Sequence, residues 1–521
     1  MARVVYVDVV GGASLKLTLK KDVPARKVWA SLGKRVDAAT HVLETRAGAV
    51  LGRDDLVLAS APGAGDALLV CRPRPVVTIS PPVAADDAAG QATIREALRR
   101  SLARPDDAAA RAAAAAAAAS NAWAPPATCD AAKISLLAAA APGARTFRGP
   151  AAWAGVERAD SDGGARAALA AHRPVAWPWG APWGDVAYLD GQLGDGLHIV
   201  LESPRVRGSF IHYQDSPADG RENRSYHAFN TRELKLTWAE FRDRAAKAKS
   251  SPYRCYLQSL LCAPGKATAT TTSARLPQMN WRAAGPDLVR RVAAAGPRLD
   301  RLCAAGRLGP LNVSNLFVSD SGAHSPLHYD EYDNVFLQLA GRKRLTLAPP
   351  GAPAKPWPTH HPLDAYARAR LDDESLEDHL HDVVLAPGDA LFIPSHWWHA
   401  VETLDDGTVS LNYWFQHPEP PRPPAGDLPP HYVLDLGRQV EALAAAAYGP
   451  RNVAAFCAAL AADVAGGDGA DDRPADAVGC ANFVVGRLAD LLGPAGVRPF
   501  VETHLAVDRF VADAPHPAAV R

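Results

Sequence analysis

HSPLHYDEYDNVFLQLAGRKRLTLAPP, residues 324–350, is the stretch whose reading decides the fold. It breaks into short apolar runs punctuated by turn residues, the signature of closely spaced strands in a barrel or sandwich. His328 and Asp330 are separated by one residue. On a strand, the period of two directs both side chains to the same face. An imidazole and a carboxylate on one face can share a metal ion. A third ligand from a distant strand would complete a two-histidine, one-carboxylate set with open coordination positions, which suits Fe(II) oxygen chemistry. The plainer alternative for the pair is a surface or structural role.

Working outward, GDALFIPSHWWHAV (388–401) sets a Gly-Asp turn before an apolar strand and then presents His396 and His399. They have opposite parity, so a regular strand would turn only one inward. His399 is preferred because it leads directly into the next strand. Within 324–350, Ala340-Gly341 reads as a hairpin turn, after which Lys343, Leu345 and Leu347 share one face. A lysine on an apolar face is costly to bury unless an anion meets it, although at a strand end it could snorkel to water. In SLNYWFQ (410–416), Ser410, Asn412 and Trp414 share a face, and a polar Asn beside a Trp reads as a site lining or as a satisfied structural Asn.

Together, HYD, an Asn six and a Lys fifteen residues after His328, and WWH resemble the JmjC-type 2-oxoglutarate oxygenases. The closest resemblance is to the asparaginyl-hydroxylase group typified by factor inhibiting HIF. LTWAEF with YRCYLQSLL (236–241 and 253–261), WPTHHPLD (357–364) and RQVEALAAAAYGPRNVAAFCAAL (438–460) carry that closer likeness, which spans roughly residues 145–465. It implies a double-stranded β-helix, a jelly-roll or cupin-like JmjC barrel, binding Fe(II), 2-oxoglutarate and O2. The ligands would be His328, Asp330 and His399. Lys343, helped by Tyr256 and Ser325, would pair with the distal carboxylate; the family has Thr where Ser325 stands. Asn334, Asn412 and Trp414 would line the cosubstrate site, and Gln258 would approach the substrate. Where the asparaginyl hydroxylase has Arg-Gln after its His-His-Pro-x-Asp run, this chain has Ala365 and Tyr366. The reader of the substrate amide is thus replaced. A site built on hydrogen bonds discriminates strongly, so its loss changes selection.

Four segments are expected. Residues 1–75 have the strand–helix–strand order of a β-grasp, ubiquitin-like module, with Gly11-Gly12 as a hairpin turn and a helix over 24–36. Residues 76–140 read as an Ala/Pro-rich linker with a transient helix, since the Ala112–Ala119 run lacks a stripe of large apolar residues. The oxygenase barrel takes 141–425, and Gly-terminated helices take 426–521, which by the resemblance would pair two protomers into a homodimer.

The chain has 521 residues, 48% of them hydrophobic, ample for a sizeable core. Lys+Arg and Asp+Glu number 56 each, so the zero net charge argues against whole-molecule steering to nucleic acid or an anionic membrane. Seven cysteines without a CxxC pair argue against a disulfide framework or a cysteine zinc site and fit a reducing compartment, cytoplasmic or nuclear. Neither a secretory leader nor an apolar run of membrane-spanning length is read in the sequence. The favoured function is a protein side-chain hydroxylase, with an ankyrin-repeat protein as one candidate substrate. The alternatives are lysine demethylation or tRNA hydroxylation by the same chemistry, and a non-catalytic cupin-like scaffold carrying a ubiquitin-like adaptor.

Overall fold

In a computed structural model, the chain divides into two compact units, residues 1–82 and 83–521. The structure describes residues 3–9, 15–19, 41–45, 67–73, 82–138, 140, 153–204, 231–248, 251–264, 279–281, 284–306, 308–357, 364–416, 430–466 and 473–506. In the first unit, four strands run in the order Leu15–Leu19, Arg3–Val9, Ala67–Pro73, His41–Thr45. Arg3–Val9 is antiparallel to Leu15–Leu19 and parallel to Ala67–Pro73. The helix expected over 24–36 and the Gly11-Gly12 turn lie outside the described residues.

The second unit is built on eight strands: β1 (Leu311–Ser319), β2 (His324–His328), β3 (Asp333–Ala340), β4 (Lys343–Ala348), β5 (His381–Leu385), β6 (Asp389–Ile393), β7 (Trp398–Thr403) and β8 (Thr408–Phe415). They divide between two sheets, in the orders β1-β8-β3-β6 and β2-β7-β4-β5. This arrangement is the jelly-roll, or double-stranded β-helix, of a cupin-like barrel. The first sheet is widened on one side by Val175–Pro178 and Glu157–Arg158, and on the other by Tyr253–Pro264, His198–Pro204 and Arg232–Leu236.

Burial follows from this layering. β3 is closed on both faces, so its apolar residues run almost continuously. Val335, Leu337 and Leu339 join the core beneath the helices Asp162–Ala170 and Pro286–Ala294, whereas Phe336 points into the barrel with Leu345, Leu347 and Ile393. β4 alternates instead, with Lys343, Leu345 and Leu347 buried and Arg344 exposed, because the outer face of the smaller sheet meets solvent.

Two local expectations need correction. Ala340-Gly341 is not a hairpin: β3 pairs with β6 and β8, and β4 with β5 and β7, so the turn carries the chain from one sheet to the other. Gly341 is required there, at φ +64, where a Cβ would lie 2.3 Å from Thr408 Oγ1. Turn chemistry shows where the chain reverses but not which strand it next pairs with.

The linker reading of 76–140 also fails over its described part. Ala88–Ala103 and Ala108–Ser120 are helices, capped by Asp87 and Asp107 side chains. They share one core with the C-terminal helices Pro430–Tyr448, Val453–Ala465, Ala475–Leu492 and Pro494–His504. Ile94 and Leu98, four residues apart, are buried in it. The alanine helix packs by close approach rather than by bulk: a Cβ on Gly486 would sit 3.1 Å from the Ala118 methyl. Asn482 donates to the backbone and side-chain oxygens of Gln91, both at 2.9 Å. The expected Gly-terminated helices are present, with Gly449, Gly466 and Gly493 all at positive φ. Pro494–His504 is an additional helix opened by proline.

Candidate metal centre

β2 and β7 pair with His328 directly opposite His399. Their ring centroids are 4.2 Å apart. Each ring is fixed by its own backbone: His328 Nδ1 lies 2.7 Å from the Pro326 carbonyl, and His399 Nδ1 lies 3.0 Å from the Trp397 carbonyl. A carbonyl only accepts, so Nδ1 carries the proton and the Nε2 lone pair of each ring is left for a metal. Asp330 completes the set. One ligand atom from each of the three residues lies within 4.8 Å of the others, and His399 Nε2 is 3.7 Å from Asp330 Oδ2.

Asp330 does not sit on the strand, as period-two spacing had it. β2 ends at His328, and Asp330 stands in the turn beyond. Two bonds place it instead: its carbonyl accepts from His396 N at 2.8 Å, and its Oδ2 accepts from Trp414 Nε1 at 3.0 Å. His396, the rejected candidate, takes φ +61 at this bend and stacks on Tyr329 at 5.3 Å.

The three residues line a cavity of about 560 Å³. Tyr256, Gln258, Ser325, Asn334, Ala365, Tyr366, Asn412 and Trp414 line it too, so the structure gathers these expected site residues around one space. Lys343 lies behind that lining, fully buried. It extends from the smaller sheet across the interior to the larger one, where Nζ donates to Ser410 Oγ on β8 at 2.9 Å. The rings of Tyr256, Phe336 and Phe317 surround the ammonium at 5.5 to 5.8 Å. Among the described residues no carboxylate forms an ion pair with it. Burial drives its pKa down to about 7. Burial also pushes the Tyr256 phenol far above its ordinary value, so it remains a hydroxyl donor.

Asn334 and Asn412 are almost completely buried, and the Oδ1 of each has no hydrogen-bond partner among the described residues; Asn315 Oδ1 shares this state. Unsatisfied buried amides beside a buried cation mark a place where a polar ligand is received. Phe317, Phe336 and Asn315 escaped the sequence reading as site residues. Ser410 had a signal, since it shares a face with Asn412 and Trp414. The others sit on strands buried on both faces, where alternation is silent.

Tyr366 stacks on His328 at 5.4 Å, and its segment runs beside β2: Tyr329 N donates to Ala365 O and Ala367 N to Leu327 O, both at 2.9 Å. Ala365 and Tyr366 therefore form part of one wall of the cavity. Residues 358–363 of the WPTHHPLD stretch lie outside the described residues. Burial, opposed by Arg438 and reinforced by Glu331, lifts the Asp364 carboxyl to about 6.

Comparison with known proteins agrees with this geometry. Residues 169–420 match the family described as the cupin-like domain. This part of the chain is similar to that family, and its strands have the jelly-roll order described above. The relatives include HSPB1-associated protein 1 of Rattus norvegicus, 38% identical over 114 residues, which is 20% of this chain and 24% of that protein. Lysine-specific demethylase JMJ31 of Arabidopsis thaliana is 31% identical over 117 residues, 20% of this chain and 21% of that protein. tRNA wybutosine-synthesizing protein 4 of Gibberella zeae is 33% identical over 135 residues, 25% of this chain and 11% of that protein. The chain thus spans a quarter or less of the length of these relatives. Among the described residues, no helix is long and apolar enough to cross a membrane.

Proposed function

We propose that this protein is an Fe(II)- and 2-oxoglutarate-dependent oxygenase that hydroxylates a side chain of a protein substrate. The observation that carries the reading is Lys343, a cation enclosed behind the cavity of the His328–Asp330–His399 set with, among the described residues, a single serine hydroxyl as its hydrogen-bond partner. A buried ammonium without an anion is unfavourable, and an incoming dicarboxylate removes that penalty.

The donor set fits the metal. Two imidazoles whose Nδ1 atoms face backbone carbonyls and one carboxylate steadied by Trp414 form a donor set that would hold Fe(II). When bound, iron with 2-oxoglutarate and O2 supplies the oxidising power to hydroxylate an unactivated C–H bond. The chain's own residues do the rest. Lys343, with Tyr256 and Ser325, holds the distal carboxylate. Asn334 and Asn412 present polar groups to the cosubstrate near the metal. Phe317, Phe336, Ile393 and Val401 line the cavity with apolar surface that excludes water. Gln258 and the Ala365–Tyr366 wall receive the substrate.

The asparaginyl-hydroxylase resemblance supports a protein side chain as target, and the Ala365-Tyr366 pair argues for a selection different from asparagine. We further propose that the C-terminal helices mediate a homodimer and that the protein works in the cytoplasm or nucleus. The test is a panel of peptides bearing Asn, Asp, His or Lys, together with an ankyrin-repeat protein, incubated with iron, 2-oxoglutarate and air. Mass spectrometry is expected to show one added oxygen on a panel member with wild type and none with Asp330→Ala. 2-Oxoglutarate consumption with an unmodified panel would count against a protein substrate of these classes. No consumption by folded, iron-loaded protein would overturn the oxygenase reading and favour a scaffold.

A further inference from the structure

Arg438 lies on the helix Pro430–Tyr448, outside the barrel, and is 8% exposed. Its guanidinium makes four hydrogen bonds. Nε donates to the Tyr329 hydroxyl at 2.8 Å, Nη1 to the Trp357 carbonyl at 2.6 Å and to Glu441 Oε2 at 3.0 Å, and Nη2 to the Asp364 carbonyl. Of these four acceptors, only Glu441 belongs to its own helix. Tyr329 stands between the two ligands His328 and Asp330. Asp364 immediately precedes the wall residues Ala365 and Tyr366, and Trp357 N donates to Tyr366 O at 3.2 Å. One planar fork therefore bonds both to Tyr329, which stands between two ligands, and to Asp364, which leads into the wall that stacks on His328.

Resting on the oxygenase reading above, we infer that Arg438 is a positioning residue, through which the helical region sets both the ligand turn His328–Asp330 and the substrate wall Ala365–Tyr366. Only arginine provides several donors in a rigid plane, so lysine keeps the charge beside buried Glu441 but releases most of the grip. Groups that orient metal ligands from behind characteristically affect metal affinity by about 10–100-fold. The cosubstrate end of the cavity, at Lys343 and Ser410, touches none of these bonds.

The experiment uses the full chain and Arg438→Lys, with Tyr329→Phe as a second variant that removes one acceptor and leaves the buried Arg438–Glu441 pair intact. Amide hydrogen exchange on metal-free protein reads the clamp directly. Exchange over 364–369 is expected to quicken while Asp389–Ile393 on β6 stays protected. Co(II), used as a spectroscopic probe, is expected to bind Arg438→Lys about tenfold more weakly with a shifted visible spectrum. 2-Oxoglutarate added to the Co(II)-saturated variant should retain affinity within about twofold, because Lys343 is untouched. Tyr329→Phe is expected to move the Co(II) spectrum in the same direction by less. An unchanged spectrum and unchanged exchange in Arg438→Lys would overturn the inference. So would parallel loss of β6 protection and 2-oxoglutarate affinity, which would make Arg438 general packing. Failure of wild type to bind Co(II) would overturn the metal reading itself, and the exchange data would still decide the clamp.

Discussion

Replacing Lys343 with methionine should make the ligand-free protein more stable and, at the same time, unable to hold 2-oxoglutarate. The ammonium is fully buried, and its pKa falls from 10.5 to about 7 through desolvation. At roughly 1.4 kcal/mol per pH unit, keeping it charged near neutrality costs the fold on the order of a few kcal/mol. Methionine fills similar volume without charge and forfeits the Ser410 bond, worth about 1–3 kcal/mol. The expected net gain is about 1–3 kcal/mol in the apo protein, within the range for replacing buried charges with apolar residues. It would be seen as a rise in melting temperature of a few degrees. With 2-oxoglutarate, the order reverses. A distal carboxylate buried opposite methionine lacks its cation, at a cost of about 3–5 kcal/mol, so affinity should fall by roughly two to three orders of magnitude. The assay is paired thermal denaturation and anaerobic calorimetry on metal-loaded protein. A destabilised Lys343→Met variant that still binds 2-oxoglutarate like wild type would refute the reasoning.

Binding of 2-oxoglutarate should weaken above pH 7 by about tenfold per pH unit, because only the charged ammonium receives the carboxylate and that charge is lost above about 7. The sign for stability is opposite: between pH 7 and 10.5 the unfolded chain binds more protons than the folded one, so apo stability from this group rises with pH, and Lys343→Met should lose both trends. Trp414→Phe removes the donor to Asp330 Oδ2 and should weaken metal binding about tenfold, measured by competition with a chelator, without changing the fold by circular dichroism. Leu98→Ala should cost about 2–4 kcal/mol in denaturant unfolding if Ala88–Ala103 is packed core, and nothing if that segment is a linker.

The centre of the site was legible because its chemistry is local in sequence. His328, Asp330 and Lys343 lie within sixteen residues, and the parity that buried Lys343 with Leu345 and Leu347 was correct. His399 over His396 was also legible from strand order. What failed was long-range. Asp330 reaches the site through Trp414, eighty-four residues away, rather than through strand parity. The sheet-to-sheet crossing at Gly341 leaves the same turn signal as a hairpin. Residues 76–140 looked like a linker because the alanine packing in their described part depends on a partner, here Gly486, that no local pattern announces. The role of Arg438 was not legible, since three of its four acceptors are a phenol and backbone carbonyls 74 to 109 residues away.

The most direct measurement is oxygen consumption by the full chain supplied with Fe(II) and 2-oxoglutarate, set beside Asp330→Ala. The account predicts uptake that requires both additions, is matched by succinate, and disappears in the variant while its fold persists. Uptake that is indifferent to 2-oxoglutarate, or equal in Asp330→Ala, would contradict it.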